Sequence, residues 1–297
     1  MKGFLTNTGI MLARIISYLP LRVLYVFSDL TYLFLRIAYP YRKKVIELNL
    51  KYAFPKKSSE ECNKVRNQYY HHLCDLVAET IKSISIRENE FRNQMQLTPE
   101  SDALLKKYEK TGQHIFVALG HYGNWEWASL LAGIETALPA TALYLPPSNK
   151  TFEKFIVKNR ARFGCRLLPM NQLKTLYKKL QKDPSLIAFV ADQTPVDTEQ
   201  AYWTNFMGIQ TPFFKGIDVI ARKTNAIVLY LSIDKIKRGT YSLKFQTITE
   251  QAQIESENHI LEKFTQLLER DIQQQPSYWL WSHRRWKRAG IDYSSKK

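Results

Sequence analysis

The run Ala118-Leu119-Gly120-His121-Tyr122-Gly123-Asn124-Trp125-Glu126 sets a histidine between two glycines, five positions ahead of a glutamate. The apolar residues 114–119 before it read as a short strand, and residues 125–133 after it as a helix. His121 is therefore expected at a strand's carboxyl end, where backbone amides at a helix start favour a developing negative charge. Glu126 falls in the first helical turn, close enough for its carboxylate to accept one imidazole N–H. That bond would fix the tautomer and raise the basicity of the ring, leaving the second nitrogen to take a proton from an alcohol. No G-x-S-x-G elbow is present to supply a covalent nucleophile, so direct attack of a hydroxyl on a thioester is the economical reaction. Spacing alone does not decide the matter, because a lone histidine near a helix start is more often a cap or a core residue than a base.

The elements that position this pair follow from hydrophobic periodicity. Helices are predicted over residues 60–84, 125–133, 152–163, 173–181, 216–224 and 257–274. Strands are predicted over 114–119, 141–145, 166–169, 186–191, 227–234 and 240–247, the last two joined by a Lys237-Arg238-Gly239 turn. Strand and helix alternate through the middle of the chain. The fold class is thus α/β, a mixed but largely parallel central sheet flanked by helices, with ligands expected at the strands' carboxyl ends.

The first forty residues are different. From Phe4 to Tyr39 the chain is strongly apolar, but Arg14, Arg22, Asp29 and Arg36 break it into pieces too short for a simple spanning helix. Pro20 opens a second helix, on which Arg22, Asp29 and Arg36 recur every seven residues along one stripe. Two readings stand: a buried core helix, or a helical hairpin lying in one bilayer leaflet. The second accounts for apolar residues around most of the circumference, and for Tyr39 and Tyr41 followed by Arg42, Lys43 and Lys44. We therefore divide the chain into residues 1–41, a membrane-associated hairpin, and residues 42–297, the catalytic domain.

The 297 residues hold 43 Lys and Arg against 27 Asp and Glu, a net charge of +16 that suits an anionic membrane, an acidic protein or nucleic acid. A mean hydropathy of -0.33 excludes a polytopic membrane protein. Cys62, Cys74 and Cys165 form no CxxC pair and are expected to be reduced. His71, His72, His114 and His259 have no partner spacing and read as structural; no metal or nucleotide cofactor is expected.

The run HYGNWE resembles the HxxxxE/D motif of the lysophospholipid acyltransferase superfamily, and in particular the late acyltransferases of lipid A biosynthesis. Further blocks are similar to that family in the same order: Asn159-Arg160-Ala161-Arg162-Phe163-Gly164, Ala191-Asp192-Gln193, Asn205-Phe206-Met207-Gly208 with Thr211-Pro212, and Trp279-Leu280-Trp281-Ser282-His283-Arg284-Arg285-Trp286-Lys287. The family's usual second phenylalanine is Met207 here. The resemblance implies His121 and Glu126 as catalytic dyad and Arg160, Asp192, Gln193 and Asn124 on the substrate side. Arg160 and Arg162 are suited to a phosphate, with a solvated basic face the alternative for Arg162. Asp192 is expected to hold architecture by accepting hydrogen bonds. The terminal WSHRRWK block, interleaving aromatics and cations, is expected at the headgroup interface.

The function implied is transfer of a fatty acyl chain from acyl carrier protein, or acyl-CoA, as co-substrate to a hydroxyl of a lipid A precursor at the cytoplasmic face of an inner membrane. An alternative keeps the chemistry with a lysophospholipid or aminolipid acceptor. A basic nucleic-acid-binding protein explains the charge but neither the apolar N-terminus nor the ordered blocks, and no nucleic acid partner is expected.

Overall fold

The computed structural model describes every residue except 1, 40, 181, 182, 196 and 294–297. In chain order the elements are α1 (Lys2–Ser17), α2 (Leu21–Ile37), α3 (Lys43–Ala53), α4 (Ser59–Lys82), α5 (Glu88–Gln94), β1 (Met95–Leu97), α6 (Pro99–Glu109), β2 (Ile115–Leu119), α7 (Trp125–Glu135) and β3 (Ala140–Tyr144). There follow α8 (Lys150–Arg160), β4 (Arg166–Pro169), α9 (Leu173–Lys179), β5 (Leu186–Val190), β6 (Tyr202–Phe206), β7 (Ile209–Phe213), α10 (Gly216–Thr224), β8 (Ile227–Lys237), β9 (Thr240–Thr249) and α11 (His259–Gln274).

Seven strands form one sheet in the order β1-β9-β8-β2-β5-β3-β4, and β6 and β7 form a separate hairpin. Every pairing in the large sheet is parallel except β8 with β9, which share the tight turn at Arg238 and Gly239. The central strand β2, Ile-Phe-Val-Ala-Leu, is buried along its whole length, as a strand covered on both faces must be. Its period-two alternation feeds two cores. Phe116 and Ala118 join one with α3, α10, α11 and the C-terminal tryptophans; Ile115, Val117 and Leu119 join the other with α6 and α7.

Local chemistry starts the helices that matter most. Ser58 and Glu61 close a capping box at the head of α4, Thr98 with Pro99 opens α6, and Asn124 caps α7 through its side chain. The sequence reading did not anticipate α3, α5, α6, β1 or the β6–β7 hairpin. The turn of that hairpin, Met207-Gly208, has positive φ at both residues, and Met207 is buried there, packed in a turn at the edge of the core.

The N-terminal segment forms two helices, α1 against α4 and α8 and α2 against α4, and among the described residues no helix is long and apolar enough to cross a membrane. A 17-residue helix spans only ~25 Å, short of the ~30 Å hydrocarbon core. One stripe of α2 docks on the body. Leu24, Tyr25 and Ser28 are buried, Ser28 Oγ donates to Asp75 at 2.8 Å, and Asp29 is held by Arg238 at 2.6 Å. The opposite side leaves Phe27, Leu30, Phe34 and Ile37 more than half exposed, as are Leu5, Met11 and Ile15 on α1.

Candidate active site

Because β2 and β5 are parallel neighbours with Leu119 paired to Val190, the two residues after each strand end also lie side by side. These are Gly120-His121 and Ala191-Asp192. Asp192 takes Nδ1 of His121 at 2.5 Å on one carboxylate oxygen, and the backbone N–H of His121 at 2.9 Å on the other. Trp279 Nε1 donates to the same carboxylate at 2.7 Å. The tautomer follows: Nδ1 carries the proton given to Asp192, and Nε2 is the acceptor, met at 3.0 Å by the side-chain N–H of Gln193. Trp125 stacks edge-on against the ring.

The histidine's loop is held from three directions. A Cβ at Gly120 would come within 2.6 Å of Leu268 and 3.3 Å of the Asp192 carboxylate, so only glycine lets the aspartate close on the loop. Tyr122 pairs with Trp279 in a backbone bridge, Gly123 N–H donates to Tyr278 O, and Leu280 N–H donates to His121 O. His72, driven down to about 3 by burial and so neutral, donates through Nε2 to Gly123 O at 3.2 Å.

The C-terminal block thus belongs to the site's scaffold and not to a headgroup interface. Trp281 and Trp286 are fully buried and Arg285 is 1% exposed. Arg285 stacks over the Phe213 ring at 4.5 Å and donates to Pro212 O at 2.8 Å; Trp286 Nε1 donates to Thr211 at 2.9 Å. Arg284 and Lys287 are its solvent-facing cations. The aromatic-cationic pattern that suggests an interface is here the lining of a core.

Glu126 and Arg160 come together, but not as the sequence implied. The bond expected from His121 to Glu126 is absent; its place is taken by Asp192, expected on the substrate side and to hold architecture. Glu126 is engaged instead by Arg160, whose Nε and Nη2 donate to it at 2.7–3.0 Å. A helix-start carboxylate points along the outside of α7, whereas the imidazole turns inward toward the end of β5. Asn124, expected on the substrate side, is fully buried: its Oδ1 accepts from Trp127 N–H and its Nδ2 donates to Glu79. Arg162 bonds the carbonyls of Ser83 and Ile86 and ties α8 to the end of α4, so neither a phosphate nor a merely solvated face describes it. Of the six residues singled out, His121, Asp192 and Gln193 form one cluster, Glu126 and Arg160 a second, and Asn124 supports the loop between them.

The second cluster lines an apolar groove of about 460 Å³ together with Leu76, Ile81, Ile84, Phe152 and Ile156, with Ala13 of α1 contributing to its wall. That size lies within the ~300–1,000 Å³ usual for small-molecule sites. Burial alone would raise the Asp192 carboxyl, but the imidazole beside it and the bonds from His121 and Trp279 outweigh this and hold it at about 2. It is an anion at any physiological pH, paired with a partly exposed imidazole. Such a pair accepts a proton at Nε2 and stabilises the resulting imidazolium.

Trp279 and His72 were not recognised as site residues beforehand. The pairing of Asp192 with His121 had a usable signal, since both follow the ends of predicted parallel strands. Elsewhere, Asp29, His71 and Asp75 converge closely enough to suggest a metal, but Arg238 and Lys235 already engage the carboxylates, and we assign none. The three cysteines are unpaired.

Comparison with known proteins gives this geometry a family. The chain is 23% identical over 256 residues, 86% of its length, to the lipid A biosynthesis palmitoleoyltransferase of Escherichia coli (strain K12), covering 81% of that protein. It is similar to the same extent to the lipid A biosynthesis acyltransferase of Shigella flexneri. With the bacterial lipid A biosynthesis acyltransferase model matching residues 1–288, the chain belongs to that family and is an O-acyltransferase.

Proposed function

We propose that the protein transfers a fatty acyl chain from an acyl-carrier-protein thioester, or acyl-CoA, directly to a hydroxyl of a lipid A precursor, with His121 as general base. The observation that carries this reading is the unprotonated, acceptor Nε2 of an imidazole fixed by a buried anionic aspartate. In the reaction the acceptor hydroxyl displaces the Gln193 N–H and takes its place on Nε2. The imidazole removes the hydroxyl proton as the oxygen attacks the thioester carbon, and the imidazolium returns that proton to the departing thiolate sulfur. Gln193, released, is free to donate to the oxyanion that forms.

The apolar groove receives the acyl chain, and Arg160 with Glu126 supplies its polar lining. The bonds to Glu126 use Nε and Nη2 of Arg160, leaving Nη1 for a phosphate of donor or acceptor. The exposed apolar faces of α1 and α2 lie in the outer part of one leaflet, at the cytoplasmic face of an inner membrane, and the positive charge draws the body to anionic headgroups and an acidic carrier protein.

The test is mass spectrometry of membrane lipids from cells with and without the gene, paired with purified enzyme given acyl carrier thioester and a lipid A precursor. One added acyl chain on the saccharolipid, dependent on His121, is expected. An unchanged lipid A profile alongside a changed phospholipid profile would move the acceptor to another lipid.

A further inference from the structure

Helix α4 touches the His121–Glu126 segment twice, and the residue that follows it touches α8. His72 holds Gly123 O, and Glu79, two turns further on, holds Asn124. Ser83, one turn beyond, accepts from Asn159 Nδ2 at 2.7 Å, next to Arg160. The middle contact is unusual. Glu79 is fully buried, and its carboxylate gathers three donors from three elements, each at 2.7 Å: Tyr25 Oη of α2 on one oxygen, and Asn124 Nδ2 and Tyr241 Oη of β9 on the other. Its backbone carbonyl accepts from Trp127 Nε1 at 3.1 Å. Lys235 and Asp75 are the charged groups that act on it. A neutral side chain would pack there without the desolvation cost of a carboxylate. Ser28 with Asp75 and Asp29 with Arg238 also dock α2, and what the Glu79 carboxylate adds is a single point at which that docking meets the Asn124 cap and β9.

The chain of contacts has a direction. Tyr25 sits on the docked stripe of the helix whose other side is bare and apolar, and its ring lies under the Arg238 guanidinium at 4.2 Å. Glu79 passes that docking to Asn124, and Asn124 caps α7, the helix that carries Glu126 and follows the His121 loop. We infer that Glu79 is a positioning residue that couples the seating of α2 to the geometry of the His121–Glu126 segment, so that α2 completes the active site as well as contacting lipid. This inference rests on the acyltransferase reading for its kinetic consequence, not for its structural one.

The experiment uses the full-length enzyme with Glu79→Leu, Glu79→Gln and Tyr25→Phe, none of which alters a group that touches the reacting atoms. Amide exchange across residues 121–127 and steady-state kinetics with an acyl carrier thioester are read on each variant, with circular dichroism and vesicle binding as controls. Glu79→Leu is expected to keep its helices and vesicle binding, to exchange its 121–127 amides faster, and to lose kcat by on the order of 10²-fold, the usual effect of a misplaced reacting group. Glu79→Gln restores most of that, since its amide keeps acceptor and donor within the same shape and the tyrosine hydroxyls turn to suit. Tyr25→Phe lowers kcat several-fold while vesicle binding stays unchanged. Wild-type exchange and wild-type kcat in both Glu79→Leu and Tyr25→Phe would overturn the inference. Should Glu79→Leu fail to fold, Tyr25→Phe alone decides it. An inactive wild type with exchange altered in the variants would instead count against the substrate reading and leave the lock in place.

Discussion

Nδ1 of His121 and Oδ1 of Asp192 lie 2.5 Å apart although 71 residues separate them, because β2 and β5 run parallel in a register that brings their ends level. The first expectation follows from that pair. His121→Ala removes the base and Asp192→Asn leaves an imidazole free to adopt the wrong tautomer; each should cost ~10²–10⁴-fold in kcat with the fold retained. The double variant should be little worse than His121→Ala alone, since the two act as one unit. No acyl-enzyme should accumulate from donor alone. Isolation of a stable acyl adduct on a Ser or Cys would rule out direct transfer.

Glu126 and Arg160 should behave as a second unit. Glu126→Ala and Arg160→Ala are each expected to raise KM for donor or acceptor, with strong non-additivity in the double variant because the side chains bind each other. The pH profile of kcat should keep its wild-type shape in Glu126→Ala and change in Asp192→Asn. The reverse outcome would return the orienting role to Glu126.

Glu79 gives the protein a pH dependence of stability. Burial pushes its carboxyl up to about 7 against the bonds from Tyr241 and Tyr25. A group whose folded value lies above its unfolded one contributes stability at acid pH that is lost as pH rises, here between about 4.5 and about 7. The loss is on the order of 3 kcal/mol if no other group compensates. Glu79→Gln should flatten that part of the curve, measured by denaturant unfolding across the range. An equal decline in the variant would show that another group titrates there.

The exposed side of α2 can be tested apart from its docked side. Phe27→Asp with Leu30→Asp alters residues that are 54% and 59% exposed, so stability should change by no more than ~0.5 kcal/mol per site while binding to anionic vesicles falls sharply. Removing residues 1–41 is a poorer test, because it uncovers Asp75 and Glu79. Unchanged vesicle binding by the double variant would place the lipid contact elsewhere.

The C-terminal tryptophans should act on folding and geometry. Trp281→Ala empties a buried site and should cost ~3–5 kcal/mol, whereas Trp279→Phe keeps most of the volume, removes one bond from Asp192 and should lower kcat more than stability. A Trp279→Phe enzyme with full activity would mean that the remaining His121 bonds suffice to hold the aspartate.

Periodicity and glycine placement were enough to read the α/β alternation, the largely parallel sheet, the strand-end position of His121 and helix on both sides of Pro20. All of these depend on neighbours in the chain, through side-chain alternation, caps and turns. The short elements between residues 85 and 113 and the β6–β7 hairpin lacked a long enough pattern to be recognised. What tertiary structure alone decided is partnership. Glu126 is closer to His121 in sequence, but α7 carries its carboxylate outward to Arg160, while strand register delivers Asp192 to the imidazole. The same holds for WSHRRWK, whose composition fits an interface equally well; only packing against Phe206, Phe213 and the His121 loop shows that its tryptophans are buried. Local sequence sets which face a residue takes on its own element, and the order of strands in the sheet sets what that face meets.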